Sequence, residues 1–369
     1  MTATQQTPPI SRIRFTPHGY RRVRLPRGVT LLLHRRTLAV AGALLVATFA
    51  IAALTVATGA YELSSANALR VLLFGTGSDL DRFIVFDQRL PRVIAAILVG
   101  AALAAAGAIF QSVSRNPLGS PDIIGFTTGA ATGGLLVILI GGAATAATVG
   151  IGTILGGAIT AVVVVILSLR RGLSGDRLVL SGIAIAAMLA SVNDYLISRS
   201  AIEAAEVAKA WQYGSLNTIS WPPIFPLTIV TAIAIPAALL YGRHLRTLEL
   251  GDDAAVGVGL TLTRTRVSVL FIGVALTAIA VATAGPIGFL ALAAPQLARR
   301  LAKSPGVSIL ASTAMGALIL AVADLIAQRA LTPFQIPVGL VTSAIGGAYL
   351  VWLLVFSHHN SALSPRKSS

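Results

Sequence analysis

The stretch QRLPRVIAAILVGAALAAAGAIFQSVSR, residues 88–115, decides the fold. From Val93 to Ser114 it contains no charged residue, and roughly 20 apolar residues are enough to cross a membrane as a helix. Arg89 and Arg92 stand at one end of this run. The stretch therefore predicts a transmembrane helix with two arginines at its mouth.

The composition of the whole chain extends this prediction. Of its 369 residues, 55% are hydrophobic and 11% are charged, and the mean hydropathy is +0.84, outside the range of soluble domains. The absence of cysteine excludes disulfides, thiolate metal sites and cysteine nucleophiles. The net charge of +15 is spread over small basic groups between apolar runs, which argues against a nucleic-acid partner. The sequence predicts an all-α polytopic membrane protein.

Ten apolar runs are candidates for membrane crossings, and the eighth is short and contains Pro295. They divide the chain into a basic N-terminal tail (1–36), a ten-helix transmembrane domain (37–356) and a C-terminal tail (357–369). The runs are 37–60, 93–111, 122–141, 143–168, 178–198, 224–241, 267–285, 287–301, 307–327 and 333–356.

The basic residues predict the orientation, because cytoplasmic loops carry the excess of lysine and arginine. With the N-terminus inside and ten crossings, the cytoplasmic segments hold 21 of the 28 basic residues. Both termini are then cytoplasmic, and the basic tail lies against anionic membrane lipid. Arg89 and Arg92 fall on the outer side.

The apolar runs lack the groups that membrane enzymes use. The five histidines lie in loops or at their edges, and the chain contains no HExxH, GxSxG or GxxxxGK[ST] motif. We therefore predict no catalytic residue, no metal site and no nucleotide bound by this chain. Asp194 and Asp324 lie near outer helix ends, where they are either hydrogen-bonded at a helix junction or carry protons.

The two outer arginines have two possible roles. They either extend toward lipid phosphates, or they bind carboxylates of an external partner, because a guanidinium grips a carboxylate with two parallel hydrogen bonds.

Three stretches do not fit simple helix packing. Residues 114–130 contain two prolines and predict a structured reversal. In the cytoplasmic loop 247–266, Asp252 and Asp253 open a short helix that suits either docking or a solvated connection. Residues 284–301 form a turn after which the chain re-enters the membrane at once. Breaks in matching positions are typical of transporters built from repeats, so we predict two inverted four-helix halves, runs 2–5 and 7–10.

The chain resembles the FecCD family of permease subunits of bacterial ABC importers for iron-siderophore complexes, haem and cobalamin. The resemblance covers about residues 40–356. It rests on six ordered motifs: RLPR (89–92), LVGAALAAAGAIFQ (98–111), RNPLGSP (115–121), LELGDDAAVGVG (248–259), AGPIGFLALAAPQLAR (284–299) and IPVGLVTSAIGGAYLVWLL (336–354).

The resemblance implies roles for particular residues. Arg89 and Arg92 match two of three arginines that dock the substrate-binding protein. The third is expected at Gln328 in ADLIAQRAL (323–331), and Arg329 follows one residue late, a rotation of about 100° on a helix. The expected gate residues are Asn116, Leu118, Ser174, Gly175 and Asp176, and the expected ATPase-coupling residues are Leu250, Gly251, Asp252, Asp253, Ala254, Ala255, Gly257 and Gly259.

Two further positions depart from the family pattern. Gln335 stands where the family commonly has glutamate, and Gln296 where it commonly has histidine. These departures are compatible with one half of a heterodimer.

The resemblance also implies a function and partners. We expect a non-catalytic permease that moves ferric siderophore by alternating access, with cobalamin or haem as the alternative cargo. The expected partners are a second permease subunit, two ATPase subunits that use ATP and Mg, and an extracytoplasmic substrate-binding protein. An ion-coupled secondary transporter is the rival class, but it needs ionisable groups at mid-membrane.

Overall fold

The computed structural model describes residues 20–24, 30–59, 63–141, 145–169, 174–331 and 334–361. The predicted N-terminal tail lies partly outside these ranges, and so does most of the predicted C-terminal tail. Within them helices joined by loops make up the structure, together with one antiparallel hairpin that pairs Tyr20 with His34 and Arg24 with Thr30. The hairpin was not predicted.

The elements follow in chain order. They are β1 (Tyr20–Arg24), β2 (Thr30–His34), α1 (Arg35–Ala57), α2 (Ser65–Phe74), α3 (Asp79–Phe83), a π-helical stretch (Ile84–Arg89), α4 (Leu90–Ser114), α5 (Phe126–Ile140), α6 (Ala146–Leu169), α7 (Gly175–Ser198), α8 (Ile202–Gln212), α9 (Trp221–Leu240), α10 (Gly242–Glu249), α11 (Asp252–Gly257), α12 (Leu262–Ala284), α13 (Leu290–Ala302), α14 (Ile309–Arg329) and α15 (Val338–Ser361).

A helix coincides with each of the ten predicted runs, namely α1, α4, α5, α6, α7, α9, α12, α13, α14 and α15. Among the described helices, seven are long and apolar enough to cross a membrane by themselves. Helix α13, at the predicted short eighth run, has 13 residues and includes Pro295. These segments form helices because lipid offers the backbone no hydrogen-bond partners, so each segment must pair its own N–H and C=O groups.

Four short helices between the runs were not predicted: α2, α3, α8 and α10. The start of α3 could have been predicted from Ser78 and Asp81, which stand three residues apart. The Ser78 hydroxyl accepts from the Asp81 N–H (3.1 Å), and the Asp81 carboxylate accepts from the Ser78 N–H (3.2 Å). This reciprocal pair is a capping box. The first turn of α3 is therefore set by local polar residues and not by membrane hydropathy.

Helix α4 lies at the centre of the bundle. It packs against α9, α12, α13 and α14, and nearly all its residues from Val93 to Ser114 are buried. Small residues make the close approach possible, because a side chain at Gly107 would overlap the carbonyl oxygen of Ala291, and one at Gly100 would overlap that of Gly316.

The predicted halves pack in corresponding ways. In the first half α5 packs on α6, and in the second half α13 packs on α14. The first helix of each half contacts the opposite half: α4 contacts α13 and α14, and α12 contacts α5 and α6. Each half also contains one short helix, α5 with 15 residues and α13 with 13. Both begin after a residue in the left-handed region, Gly125 (φ 84°) and Phe289 (φ 64°). This pairing pattern supports the inverted-repeat prediction.

Candidate functional site

We call the end of the bundle that carries Leu90 the outer end, and the end that carries Ser114 the inner end. At the outer end, Arg92 is buried in a polar cluster. Its guanidinium binds the Asp324 carboxylate through Nε (3.1 and 3.0 Å) and Nη2 (2.9 Å), and the two side chains are 9% and 1% exposed. Nη1 donates to Gln335 Oε1 (2.6 Å) and Nη2 to Asn217 Oδ1 (2.9 Å). Arg92 thus joins α4 to α14 and to two loops.

The Asp324 carboxylate also has a third hydrogen-bond donor in this cluster. Gln328 Nε2 donates to Asp324 Oδ2 at 2.8 Å. Asp324 is therefore hydrogen-bonded at a helix junction, the first of the two roles considered for it.

An outer cavity of about 410 Å³ opens beside this cluster. Arg89 lines it, is 9% exposed, and donates from Nη1 to the Val56 carbonyl oxygen at 2.8 Å. The cavity is lined by Thr55, Gly59, Ile84, Gln88, Arg89, Arg92, Asn217, Thr218, Ile219, Gln328 and Gln335. It is a polar recess with two arginine side chains in its wall.

Arg329 takes a different position from the two buried arginines. It is the last residue of α14, so the helix continues through it and its side chain is turned away from that of Gln328. It is exposed, whereas Gln328 lines the outer cavity.

At the inner end, the predicted coupling helix is present as α11. Gly251, with φ 109°, turns the chain between α10 and α11. Leu250, Val256 and Val258 are 76%, 57% and 73% exposed, while Ala255 is buried. Exposed apolar side chains on a protruding segment are typical of a protein-docking surface. We call residues 250–259 the coupling segment.

Asp252 connects the coupling segment to two other parts of the protein. Its Oδ1 accepts from Arg266 Nη2 on α12 at 2.6 Å, and the Arg266 side chain is 3% exposed. Its distance to Arg115 Nη1 is 3.8 Å, and both of those side chains are about one third exposed. Asp253, the next residue, is exposed to solvent.

The predicted gate residues from two segments lie together. Arg115, with φ 52°, ends α4, and Asn116 Oδ1 accepts from the Leu118 N–H at 2.9 Å. Residues 115–125, which we call the gate loop, thus form the structured reversal that was predicted. Gly175 packs against the end of α4, since a Cβ there would lie 2.8 Å from Ser114 Cα.

A cleft of about 390 Å³ separates the gate loop from the coupling segment. Gln296, where the family pattern predicts histidine, donates to Gln111 Oε1 at 2.6 Å, and both side chains line the cleft. Glu249 accepts from the Ser112 hydroxyl (2.7 Å) and the Val307 N–H (3.3 Å), which fixes α10 to α4.

Sequence reasoning missed Arg115, Glu249, Arg266 and Asn217. Arg115 directly precedes the predicted gate residue Asn116, and Glu249 the predicted coupling residue Leu250. Their positions next to predicted site residues could have identified Arg115 and Glu249 as part of the site. Asn217 binds Arg92, 125 residues away, and Arg266 is a buried residue that binds Asp252 from the next helix, so neither a motif nor periodicity revealed them.

A buried central helix, two short helices in matching positions, and an apolar segment joined to a loop by an ion pair are the features of a membrane permease built from two repeats. The chain matches the model of the FecCD transport family over residues 45–356. It belongs to this family.

Relatives and a solved structure agree with this assignment. The chain is 39% identical to the ferric enterobactin transport system permease of Escherichia coli K12, over 81% of the chain and 90% of the relative. It is 33% identical to the iron(3+)-hydroxamate import system permease of Bacillus subtilis 168, over 80% and 90%. An inward-facing structure of a metal-chelate type ABC transporter superposes with a TM-score of 0.76 at 28% identity, covering 87% of this chain and 99% of that one.

The family fixes several general properties. The chain is a multi-pass inner-membrane protein and a permease subunit, not an enzyme, and a partner ATPase uses the ATP. A substrate-binding protein is the other partner that the family implies.

The Asp324→Ala variant tests the outer cluster. We expect it to lower the free energy of unfolding by about 3–5 kcal/mol, because it leaves a buried guanidinium without its carboxylate. The matched control is Asp194→Ala, whose ion pair with Lys209 (3.5 Å) is exposed and contributes about 1 kcal/mol or less. Chemical unfolding in detergent micelles measures both, and equal losses would contradict the assignment of Asp324 as a buried structural charge.

Proposed function

We propose that this permease moves ferric siderophore across the cytoplasmic membrane, with both of its termini in the cytoplasm. The observation that carries the proposal is the set of relatives that match at least three quarters of the chain. Their names describe permeases for ferric enterobactin, Fe(3+)-citrate and iron(3+)-hydroxamate. These cargoes share a chelated ferric ion and differ in the chelating group.

The proposed assembly contains two permease subunits, two ATPase subunits at the inner end and a binding protein at the outer end. No nucleic acid takes part. The apolar side chains of the coupling segment support an ATPase contact, because Leu250, Val256 and Val258 are exposed beside a predicted helix start. The outer cavity supports a contact with acidic side chains, since two arginines line it.

Transport requires that ATP binding by the ATPase subunits at the inner end changes the conformation of the gates. Asp252 is suited to pass on this change, because its carboxylate binds α12 tightly through Arg266 and the gate loop loosely through Arg115. The gate in this proposal consists of Asn116 and Leu118 on one side and Ser174, Gly175 and Asp176 on the other. A push on the coupling segment therefore reaches α12 and the gate loop together.

The three docking arginines have different roles in this proposal. Arg92 pairs with Asp324 and shapes the cavity, Arg89 forms part of the cavity wall, and Arg329 is exposed at the end of α14. Arg92 is thus a poor site for mutation, since its loss would unpair Asp324.

Uptake by the reconstituted complex tests the cargo. Proteoliposomes that contain the permease, its ATPase and the binding protein should accumulate radioactive ferric siderophore when ATP is supplied inside. Accumulation of haem or cobalamin in preference to ferric siderophore would contradict the proposed cargo. Uptake that follows an ion gradient without ATP would contradict the ATP-driven mechanism.

Docking is tested with Arg89→Gln and Arg329→Gln, which remove a charge and keep much of the side-chain volume. We expect Arg89→Gln to weaken binding of the binding protein by about tenfold or more and Arg329→Gln by less, because a rim charge contributes less than a buried one. Arg199→Gln, also at the predicted outer side, is the control. Surface plasmon resonance on nanodisc-embedded complexes measures the affinities, and unchanged binding by both variants would exclude the docking role.

Coupling is tested with the neighbouring pair Asp252→Asn and Asp253→Asn. We expect Asp252→Asn to cut transport per ATP about tenfold, since a hydrogen bond between charged groups is worth about 1.5–3 kcal/mol. Asp253→Asn should keep transport per ATP and weaken at most the association with the ATPase. Uptake and phosphate release are measured on the same proteoliposomes. A normal ratio for Asp252→Asn would show that the carboxylate does not transmit the change.

A further inference from the structure

One carboxylate at the inner end joins three parts of the chain. Glu249 is the last residue of α10 and directly precedes the coupling segment. Its Oε1 accepts from the Ser112 hydroxyl on α4 (2.7 Å) and from the Val307 N–H (3.3 Å), two residues before α14 begins. Glu249 therefore connects α10 to the inner end of α4 and to the loop that leads into α14.

The protein encloses this carboxylate closely. The Ser112 side chain is buried, and its hydroxyl also lies 3.0 Å from the Ala108 carbonyl oxygen. The hydroxyl has one proton to donate, and the charged acceptor at the shorter distance makes the stronger bond. Gly306 is buried and leaves room for the other carboxylate oxygen, because a Cβ there would lie 2.5 Å from Glu249 Oε2.

Glu249 and Asp252 lie three residues apart but bind different helices. Asp252 binds Arg266 on α12, whereas Glu249 binds α4 and the loop before α14. Gly251 stands between them with a φ of 109°, a conformation that residues with a side chain rarely adopt. The turn from α10 into the coupling segment therefore falls between two anchor points on different parts of the bundle.

The two partners of Glu249 belong to a closely packed pair of helices, which we call the α4–α14 unit. A Cβ at Gly100 would overlap the carbonyl oxygen of Gly316, and the reverse is also true, so the two backbones are in contact. The ion pair of Arg92 and Asp324 joins the outer ends of the same two helices. Glu249 adds α10 to this unit at the inner end.

We propose that Glu249 is a positioning residue that holds α10 on the α4–α14 unit, so that the coupling segment moves with α12 relative to that unit. This role rests on the proposed function, because it is a part in ATP-driven transport. Glu249 acts through Ser112 and Val307. The buried side chains of Leu245 and Leu248 also attach α10 to the bundle, but apolar contacts are non-directional and do not fix its position. Without the carboxylate, a push on the coupling segment also displaces α10, and less of the movement reaches α12.

Distances between spin labels test this role, because the chain has no cysteine of its own. Arg243→Cys with Ser304→Cys measures from α10 to the loop before α14, and Arg264→Cys with Ser304→Cys measures from α12 to the same loop. Arg243 and Arg264 are exposed and Ser304 is half-buried. Double electron–electron resonance is recorded on the complete complex in nanodiscs, with cysteine-free partner subunits, without nucleotide and with ATP plus vanadate.

The variants at position 249 separate the two bonds from the fold. Glu249→Leu removes both bonds, whereas Glu249→Gln keeps an oxygen that accepts from both donors. Thr247→Val is the matched control on α10, because the Thr247 hydroxyl bonds within its own helix, to the Arg243 carbonyl oxygen at 3.0 Å. We expect ATP to change the α10 distance in Glu249→Leu and to leave it unchanged in the other backgrounds. Transport per ATP should fall about tenfold in Glu249→Leu, since the lost bonds are made to a charged group.

Both label pairs have outcomes that contradict this role. An α10 distance that ATP leaves unchanged in Glu249→Leu would overturn it, and so would one that ATP changes in the unsubstituted complex. If Glu249→Leu cannot be purified folded, Ser112→Ala takes its place. It removes the shorter bond, and it should let ATP change the α10 distance and lower transport per ATP about threefold.

The same measurements separate this role from the proposed function. An α12 distance that does not respond to ATP would overturn the ATP-driven assembly and the role of Glu249 with it. The distances depend on ATP and not on cargo, so a failure to transport ferric siderophore would overturn the proposed cargo alone.

Discussion

The burial of α4 on all sides is the constraint on which the rest of the structure depends. A helix that contacts α9, α12, α13 and α14 at once can hold only small side chains at the closest approaches, and α4 supplies alanine and glycine there. Side chains at Gly100 or Gly107 would overlap backbone oxygen atoms of α14 and α13. Because α4 is so enclosed, it acts as a rigid rod, and its ends carry Arg92 and Arg115.

The charges at the outer end of this rod are balanced inside the protein. Gln328 and Gln335 stand where the FecCD pattern has an arginine and a glutamate, and both contact the pair formed by Arg92 and Asp324. Replacing one residue of each sign leaves the local net charge unchanged.

The sequence was sufficient to predict the ten main helices and the class, because lipid imposes a length and a hydropathy on each crossing. It also predicted the short helix α11, since Asp252 and Asp253 mark its start. The sequence could not predict that Arg92 forms an ion pair with Asp324, 232 residues away, or that Asp252 binds Arg266. Such pairs depend on how helices are arranged, and hydropathy carries no information on that. The hairpin and α8 were missed because short polar segments have weak periodicity.

Asp252 joins three parts of the inner end of the bundle. Its carboxylate, on the coupling segment, binds Arg266 at the start of α12 and lies beside Arg115, where the gate loop begins. The links differ in strength. The bond to Arg266 is short and mostly buried, whereas the contact with Arg115 is long and one third exposed, so it contributes about 1 kcal/mol or less. In the proposed mechanism a push on the coupling segment therefore acts more directly on α12 than on the gate loop. The buried pair of Arg92 and Asp324 meanwhile holds the outer ends of α4 and α14 together.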